Sequence, residues 1–177
     1  MDLISIKKPT KANLLVSFMD IENFMAIAHG VPDSLKLFEM LNEMARAIIE
    51  EFEGTPGLVI KFIGDACLAV FPEEAADAGV LVLLAVKEKV EKLLSGFGFK
   101  NRLRVTAHFG EAAIGPYGWG DHVRLDVFGD SVQIAATLGR SEHKGRLIIS
   151  PQAFRKLSPK TRKMFHKYTP PIVYVAE

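Results

Sequence analysis

Cysteine is almost missing from this chain: Cys67 is the only one in 177 residues. An intrachain disulfide is therefore excluded, which fits a reducing compartment. Cys67 lies within an apolar run and reads as a small core residue. Long hydrophobic runs are missing too. The most apolar stretch, Val80 to Val86, is too short to cross a bilayer. Met1 to Lys11 is polar and basic, so it reads as no secretory leader. An excess of either charge is also lacking. A formal net charge of +1 leaves no long-range field to attract nucleic acid. The basic residues from Arg155 to Lys167 read as a solvated surface. Together these absences predict a soluble cytoplasmic domain with no membrane contact and no nucleic-acid partner. The histidines His29, His108, His122, His143 and His166 show no metal-ligand spacing. The loop Gly115 to Gly120 lacks the lysine and hydroxyl of a Walker-type phosphate loop and reads as a turn.

What is present is an ordinary globular composition, 49% apolar and 24% charged, in a length that suits one domain. Leu14 to Met19 reads as a buried strand and Ile21 to His29 as a short helix. Asp33 is placed to cap a longer helix. Its apolar stripe is Leu37, Phe38, Leu41, Met44, Ala45, Ile48, Ile49 and Phe52, and it ends at Gly54 and Pro56. Leu58 to Ile63 and Cys67 to Phe71 read as a hairpin turning at Gly64-Asp65. Pro72-Glu73-Glu74 opens a second long helix, ending near Gly96 and apolar enough to bury two faces. Arg102 to Phe109 alternates: Leu103, Val105, Ala107 and Phe109 face one way, Arg102, Arg104, Thr106 and His108 the other. Strands are predicted over Val123 to Phe128, Arg146 to Ser150 and Ile172 to Val175, with a helix from Ser131 to Leu138. Strands and helices alternating in one unit predict a sheet with helices packed on it.

Two aspartates carry the most chemistry. Asp20 closes the run Leu14-Leu15-Val16-Ser17-Phe18-Met19, and Asp65 closes Leu58-Val59-Ile60-Lys61-Phe62-Ile63-Gly64. A carboxylate at such a point must be solvated, hydrogen-bonded or bound to a cation. If both meet at one sheet edge they form a hard-oxygen site for Mg2+ or Mn2+. That suits phosphoryl transfer with two ions flanking an in-line displacement. The plainer alternatives are a helix cap for Asp20 and a turn residue for Asp65.

Three segments, in order, carry a resemblance: Phe18-Met19-Asp20-Ile21-Glu22-Asn23-Phe24, Lys61-Phe62-Ile63-Gly64-Asp65, and Asp126-Val127-Phe128-Gly129-Asp130-Ser131-Val132-Gln133-Ile134-Ala135-Ala136. The chain resembles the catalytic domain of the class III nucleotidyl cyclases, the adenylate and guanylate cyclases. The resemblance runs from about residue 14 to 150 within a single domain spanning 1–177. It implies an α+β fold: a ferredoxin-like βαββαβ core with extra strands. It further implies a head-to-tail homodimer with nucleotide sites in the cleft between chains.

The resemblance assigns roles residue by residue. Asp20 and Asp65 would bind the two metal ions, with the carbonyl of Ile21 completing one coordination shell. The backbone from Glu22 through Asn23 to Phe24, opening a helix with free N–H groups, would face the triphosphate. Lys61 would donate to a ring nitrogen of adenine and Asp126 accept from its amino group. Lysine as donor and aspartate as acceptor complement adenine, whereas guanine needs the reverse. The plainer readings are a snorkelling Lys61 and an Asp126 paired across strands with Arg104 or Arg124.

Two positions depart from the family. Gln133 stands where asparagine orients the ribose. Thr137, one turn on, stands where arginine holds the transition-state charge, and threonine has neither charge nor fork. Arg140 lies a turn further along, where a solvated helix end is the simpler reading. Lys167, in a shortened C-terminal hairpin, is the candidate for a triphosphate-binding lysine. The expected activity is conversion of ATP to 3′,5′-cyclic AMP and pyrophosphate. The alternative is a degenerate domain that binds nucleotide as a sensor or pairs with an intact partner chain. A two-metal enzyme of the diguanylate cyclase or polymerase-palm type is disfavoured by the third segment and the Lys61–Asp126 match.

Overall fold

The computed structural model describes residues 1–31, 33–138 and 147–176. Its centre is β1 (Thr10–Ile21), which pairs antiparallel with β3 (Ala66–Pro72) on one side and β4 (Leu103–Tyr117) on the other. Outside β3 lies β2 (Leu58–Ile63), and beyond β4 lie β6 (Leu147–Ile149), β8 (Val173–Ala176) and β7 (His166–Tyr168), giving the order β2-β3-β1-β4-β6-β8-β7. The short β5 (Arg124–Phe128) folds back on the far half of β4. Together, α2 (Ser34–Phe52), the β2–β3 hairpin and α3 (Ala76–Gly96) link β1 to β4 in the expected βαββαβ order.

The sheet has two different faces. Leu15, Met19, Cys67, Ala69, Val105 and Ala107 point to the side covered by α2 and α3. Leu14, Val16, Leu68, Val70, Ala112 and Ile114 point to the other, where α4 (Asp130–Thr137) packs through Ala135. The period-two alternation predicted for β4 holds, with Leu103, Val105, Ala107 and Phe109 all on the α2/α3 side. Cys67 is fully buried, and burial pushes its thiol up to about 12.

Asp33 caps α2 as predicted, accepting from the Leu35 amide at 2.9 Å. The stripe below it is turned. Met40 and Ala47 are buried in place of Phe38 and Ile49, which are exposed. On α3, Val80, Leu83, Val86 and Val90 bury one face between sheet and α2, while Leu81 on the opposite side is exposed.

Several boundaries moved. β1 runs on through Ile21, so the following helix, α1, covers only Phe24–Gly30. β4 continues to Tyr117, so the first half of the glycine-rich stretch is strand rather than turn. Gly115 pairs with Asp126 there, and a Cβ at this position would lie 2.6 Å from the Pro9 Cα. The N-terminal chain crosses so closely that only glycine fits. The C-terminal hairpin is present: β7 pairs with β8, and Lys167 lies opposite Tyr174 on an exposed edge strand. Two short helices precede it, α5 (Pro151–Arg155) and α6 (Pro159–Arg162). Arg140, His143 and the predicted strand start at Arg146 lie outside the described residues. Among the described residues, no helix is long and apolar enough to cross a membrane.

Candidate active site

Asp20 is the penultimate residue of β1, directly opposite Arg104 on β4. Side chains alternate along both strands, so the two residues project from the same face as Phe18 and Thr106. The guanidinium forks the carboxylate: Nε donates to Oδ1 at 2.8 Å and a terminal nitrogen to Oδ2. Hydrogen bonding to Asp20 holds the Arg104 guanidinium even more firmly protonated than usual. The helix cap proposed as the plainer role of Asp20 is absent. The residue preceding α1 is Asn23, in the left-handed region at φ 54°.

Asp65 sits in the β2–β3 turn, where Gly64 supplies the positive φ of 62°. The hairpin brings it back beside the end of β1. Its Oδ2 accepts from the Ile21 amide at 3.1 Å, one residue beyond Asp20. Burial raises its carboxyl above the ordinary value, the hydrogen bond from Ile21 lowers it, and the nearby Asp20 charge raises it further. The structure thus brings Asp20, Ile21 and Asp65 together at one edge, across 44 residues of sequence. The donor set is two carboxylates and a main-chain carbonyl, all hard oxygen, which fits Mg2+ or Mn2+. Among the described residues, no group of three or more His, Cys, Asp or Glu side chains converges as a metal site. A shell built on Asp20, Asp65 and the Ile21 carbonyl would thus be partial, of the kind that substrate phosphates complete.

The backbone after Asp20 is less open than the sequence suggests. The Glu22 amide donates to the Arg102 carbonyl at 3.0 Å, and the Glu22 carbonyl accepts from Asn101 Nδ2 at 2.6 Å. The amides that open α1 begin at Asn23 and Phe24, which lack intrahelical acceptors as at any helix start.

Lys61 and Asp126 also meet. Lys61 Nζ donates to Asp126 Oδ2 at 2.6 Å, while Asp126 Oδ1 accepts from the Val127 amide at 2.8 Å. This overturns the cross-strand pairing of Asp126 with Arg104 or Arg124. Arg104 is committed to Asp20, and Arg124 donates to the carbonyls of Asp121 and Val123. A bulge in β2 makes the Lys61 contact possible. The ladder skips from Val59–Ala69 to Lys61–Leu68, leaving Ile60 as the extra residue. Strict alternation would send Lys61 to the α2 side along with Val59. The bulge turns it to the opposite face, where β5 lies. Phe128 follows Asp126 by two residues, its ring centroid 5.9 Å from Lys61 Nζ and its edge packed on Tyr117. A cleft of about 480 Å³ touches Lys61, but it opens toward α2 between Ile49, Phe52 and Val59 and leaves out Asp20, Asp65 and Asp126. That cleft does not collect the candidate groups.

Gln133 and Thr137 lie exposed on one side of α4. The Thr137 hydroxyl donates back to the Gln133 carbonyl at 2.8 Å, so it is turned onto its own helix. Lys167 stands on β7, at the opposite edge of the sheet from Lys61.

Two features escaped the sequence reading. One is the bulge at Ile60, which leaves no composition signal. The other is the Arg104–Asp20 fork. Its signal was present, since alternation already put Arg104 beside Thr106 on a strand pairing with β1, but the register was needed to bring it opposite Asp20.

The model of the adenylate and guanylate cyclase catalytic domain matches residues 6–173. An adenylate cyclase of Anabaena cylindrica is 21% identical over 165 residues, covering 88% of this chain and 33% of that protein. Adenylate cyclase 2 of Rhizobium meliloti is 25% identical over 162 residues, covering 86% of this chain and 44% of that protein. The chain thus spans less than half the length of these relatives. Among solved structures, the adenylyl cyclase CyaB from P. aeruginosa superposes with a TM-score of 0.77 at 18% identity, covering 96% of both chains. The guanylate cyclase domain of RhGC from Catenaria anguillulae, in complex with GTP, gives 0.81 at 18% identity, covering 95% of this chain and 98% of that one. Structures with either activity match equally well, so the likeness fixes the fold and leaves the base open.

Proposed function

This chain belongs to the family of adenylate and guanylate cyclase catalytic domains, and from that premise we propose that it converts ATP to 3′,5′-cyclic AMP. The ribose 3′-oxygen attacks the α-phosphorus and loses its proton. The bond from that phosphorus to the α,β-bridging oxygen breaks, and pyrophosphate leaves. Asp20, Asp65 and the Ile21 carbonyl would hold two divalent ions, which when bound activate the attacking oxygen and neutralise the triphosphate. Lys61 donates to an adenine ring nitrogen and Asp126 accepts from the amino group. Both belong to one chain, while the carboxylates serving the same nucleotide belong to its partner in a head-to-tail homodimer.

One observation carries this reading. A donor–acceptor pair, Lys61 and Asp126, stands 2.6 Å apart, and the β2–β3 hairpin separately returns Asp65 to the Ile21 amide beside Asp20. Nothing in a merely structural sheet requires a lysine re-aimed by a bulge onto a nearly buried aspartate. The test is competition: equimolar ATP and GTP with Mn2+, with both cyclic products quantified. Cyclic AMP in excess supports the reading, and cyclic GMP in excess overturns the base assignment.

A second reading rests on Thr137. Its hydroxyl is occupied by its own helix, and it offers no charge to a phosphate. On this reading the domain binds ATP without turning it over and serves as a sensor or a partner for an intact chain. Saturable ATP binding with no cyclic product would favour it.

A further inference from the structure

We propose that Arg104 is a resident counterion of the metal edge, and that a divalent cation binds Asp20 only by displacing it. The inference rests on the reading of Asp20 as a metal ligand. Both Asp20 oxygens are taken: Arg104 Nε donates to Oδ1 at 2.8 Å and a terminal nitrogen donates to Oδ2. A bidentate guanidinium–carboxylate pair is among the strongest charge-assisted contacts a protein makes. This one is also partly shielded, with side-chain exposures of 25% for Arg104 and 30% for Asp20. Asp65 and Glu22 act on the same guanidinium through their charges, so Arg104 stands within the field of both proposed metal ligands.

The fork takes the electron pairs of Asp20 that face Arg104. A divalent ion on the remaining pairs would sit beside a fixed positive charge that repels it at contact range. Binding is therefore an exchange in which the fork opens and the ion enters. The strands do not need the fork for their own sake, because β1 and β4 already pair in register from Thr10–Ile114 to Ile21–Leu103. Arg104 is thus a positioning residue. It holds the Asp20 carboxylate in one orientation while no ion is present, at the cost of metal affinity.

The test is Mn2+ binding to the nucleotide-free protein, followed by the electron paramagnetic resonance signal of free Mn2+. Arg104→Gln should tighten binding by about tenfold or more. Arg104→Lys, which keeps the charge but loses the fork, should tighten it less. Arg102→Gln is the control. It removes the same charge two residues away, where Arg102 lies 3.8 Å from Glu91, and it should change the affinity less than twofold. In the unsubstituted protein, adding Mg2+ should shift the Arg104 Nε–H resonance and leave that of Arg102 in place. Unchanged or weaker binding by Arg104→Gln, in a variant that keeps the wild-type thermal midpoint, overturns the proposal. Equal tightening in Arg102→Gln also overturns it, since a general charge effect would then suffice. If Arg104→Gln does not fold, an unmoved Arg104 resonance at saturating Mg2+ overturns it instead. If Mn2+ binds wild type and Asp20→Ala alike, the metal reading itself fails, an outcome distinct from the others.

Discussion

Lys61 and Asp126 meet at 2.6 Å because a single extra residue, Ile60, rotates the end of β2. The contact joins the second strand to the fifth and neutralises an aspartate that is only 8% exposed. The pair offers one donor and one acceptor side by side, which is the pattern the adenine edge requires.

Asp126→Asn should relax base selection more than it harms the fold. Asparagine presents both a donor and an acceptor, so the preference for ATP over GTP in kcat/KM should fall about tenfold or more. The urea midpoint should move little, because asparagine fills the same volume and still accepts from the Val127 amide, while Lys61, 39% exposed, can turn to water. Parallel kinetics on the two nucleotides and a urea titration check both parts.

Thr137→Arg should raise turnover. Position 137 is exposed on α4, so a longer side chain meets no packing obstacle. A guanidinium there would supply the missing charge, a contact typically worth about a hundredfold in rate. No gain in kcat would show that the threonine is not what limits this chain.

His108 should make stability fall in mild acid. It is 5% exposed, and among the described residues its Nδ1 has no hydrogen-bond partner. Burial holds its pKa below the ordinary 6.5. Below that ordinary value the unfolded chain takes up a proton that the folded chain still refuses, so stability drops as pH falls toward the folded pKa. Above the ordinary value of 6.5 both states are deprotonated and the effect vanishes. Urea midpoints at neutral and mildly acidic pH should therefore diverge more for wild type than for His108→Gln.

Cys67 should be inert in the native protein. It is fully buried, with its thiol held at about 12. A thiol-exchange reagent at pH 8 should label it only after denaturation. Rapid labelling of the folded chain would show that β3 opens readily.

Much of this architecture was legible in the residues. The βαββαβ order follows from apolar runs broken by Gly54, Gly64 and Pro72, and the α2 cap from Asp33. Boundaries were harder. A strand that ends in Asp20-Ile21 looks like a helix start until its pairing with Leu103 and Arg104 is seen. Gly115 looks like a loop residue because the close crossing of Pro9 is a tertiary fact. On α2, Phe38 and Met40 are both apolar, and only the position of the helix on the sheet decides that Met40 is buried. At the site, the convergence of Asp20 with Asp65 was implied only by the family resemblance, because the hairpin alone does not say that β3 lies beside β1. The partners of Asp126 and Asp20 could not be anticipated, because a bulge and a ladder register set them.

The central claim, that Asp20 and Asp65 hold the ions that drive cyclisation of a purine triphosphate, is tested most directly by Mn2+-dependent cyclic AMP formation. Wild type, Asp20→Ala and Asp65→Ala should be compared in parallel. Turnover by wild type and a loss of about a hundredfold or more in each variant is the predicted result. Turnover that survives either substitution would contradict it.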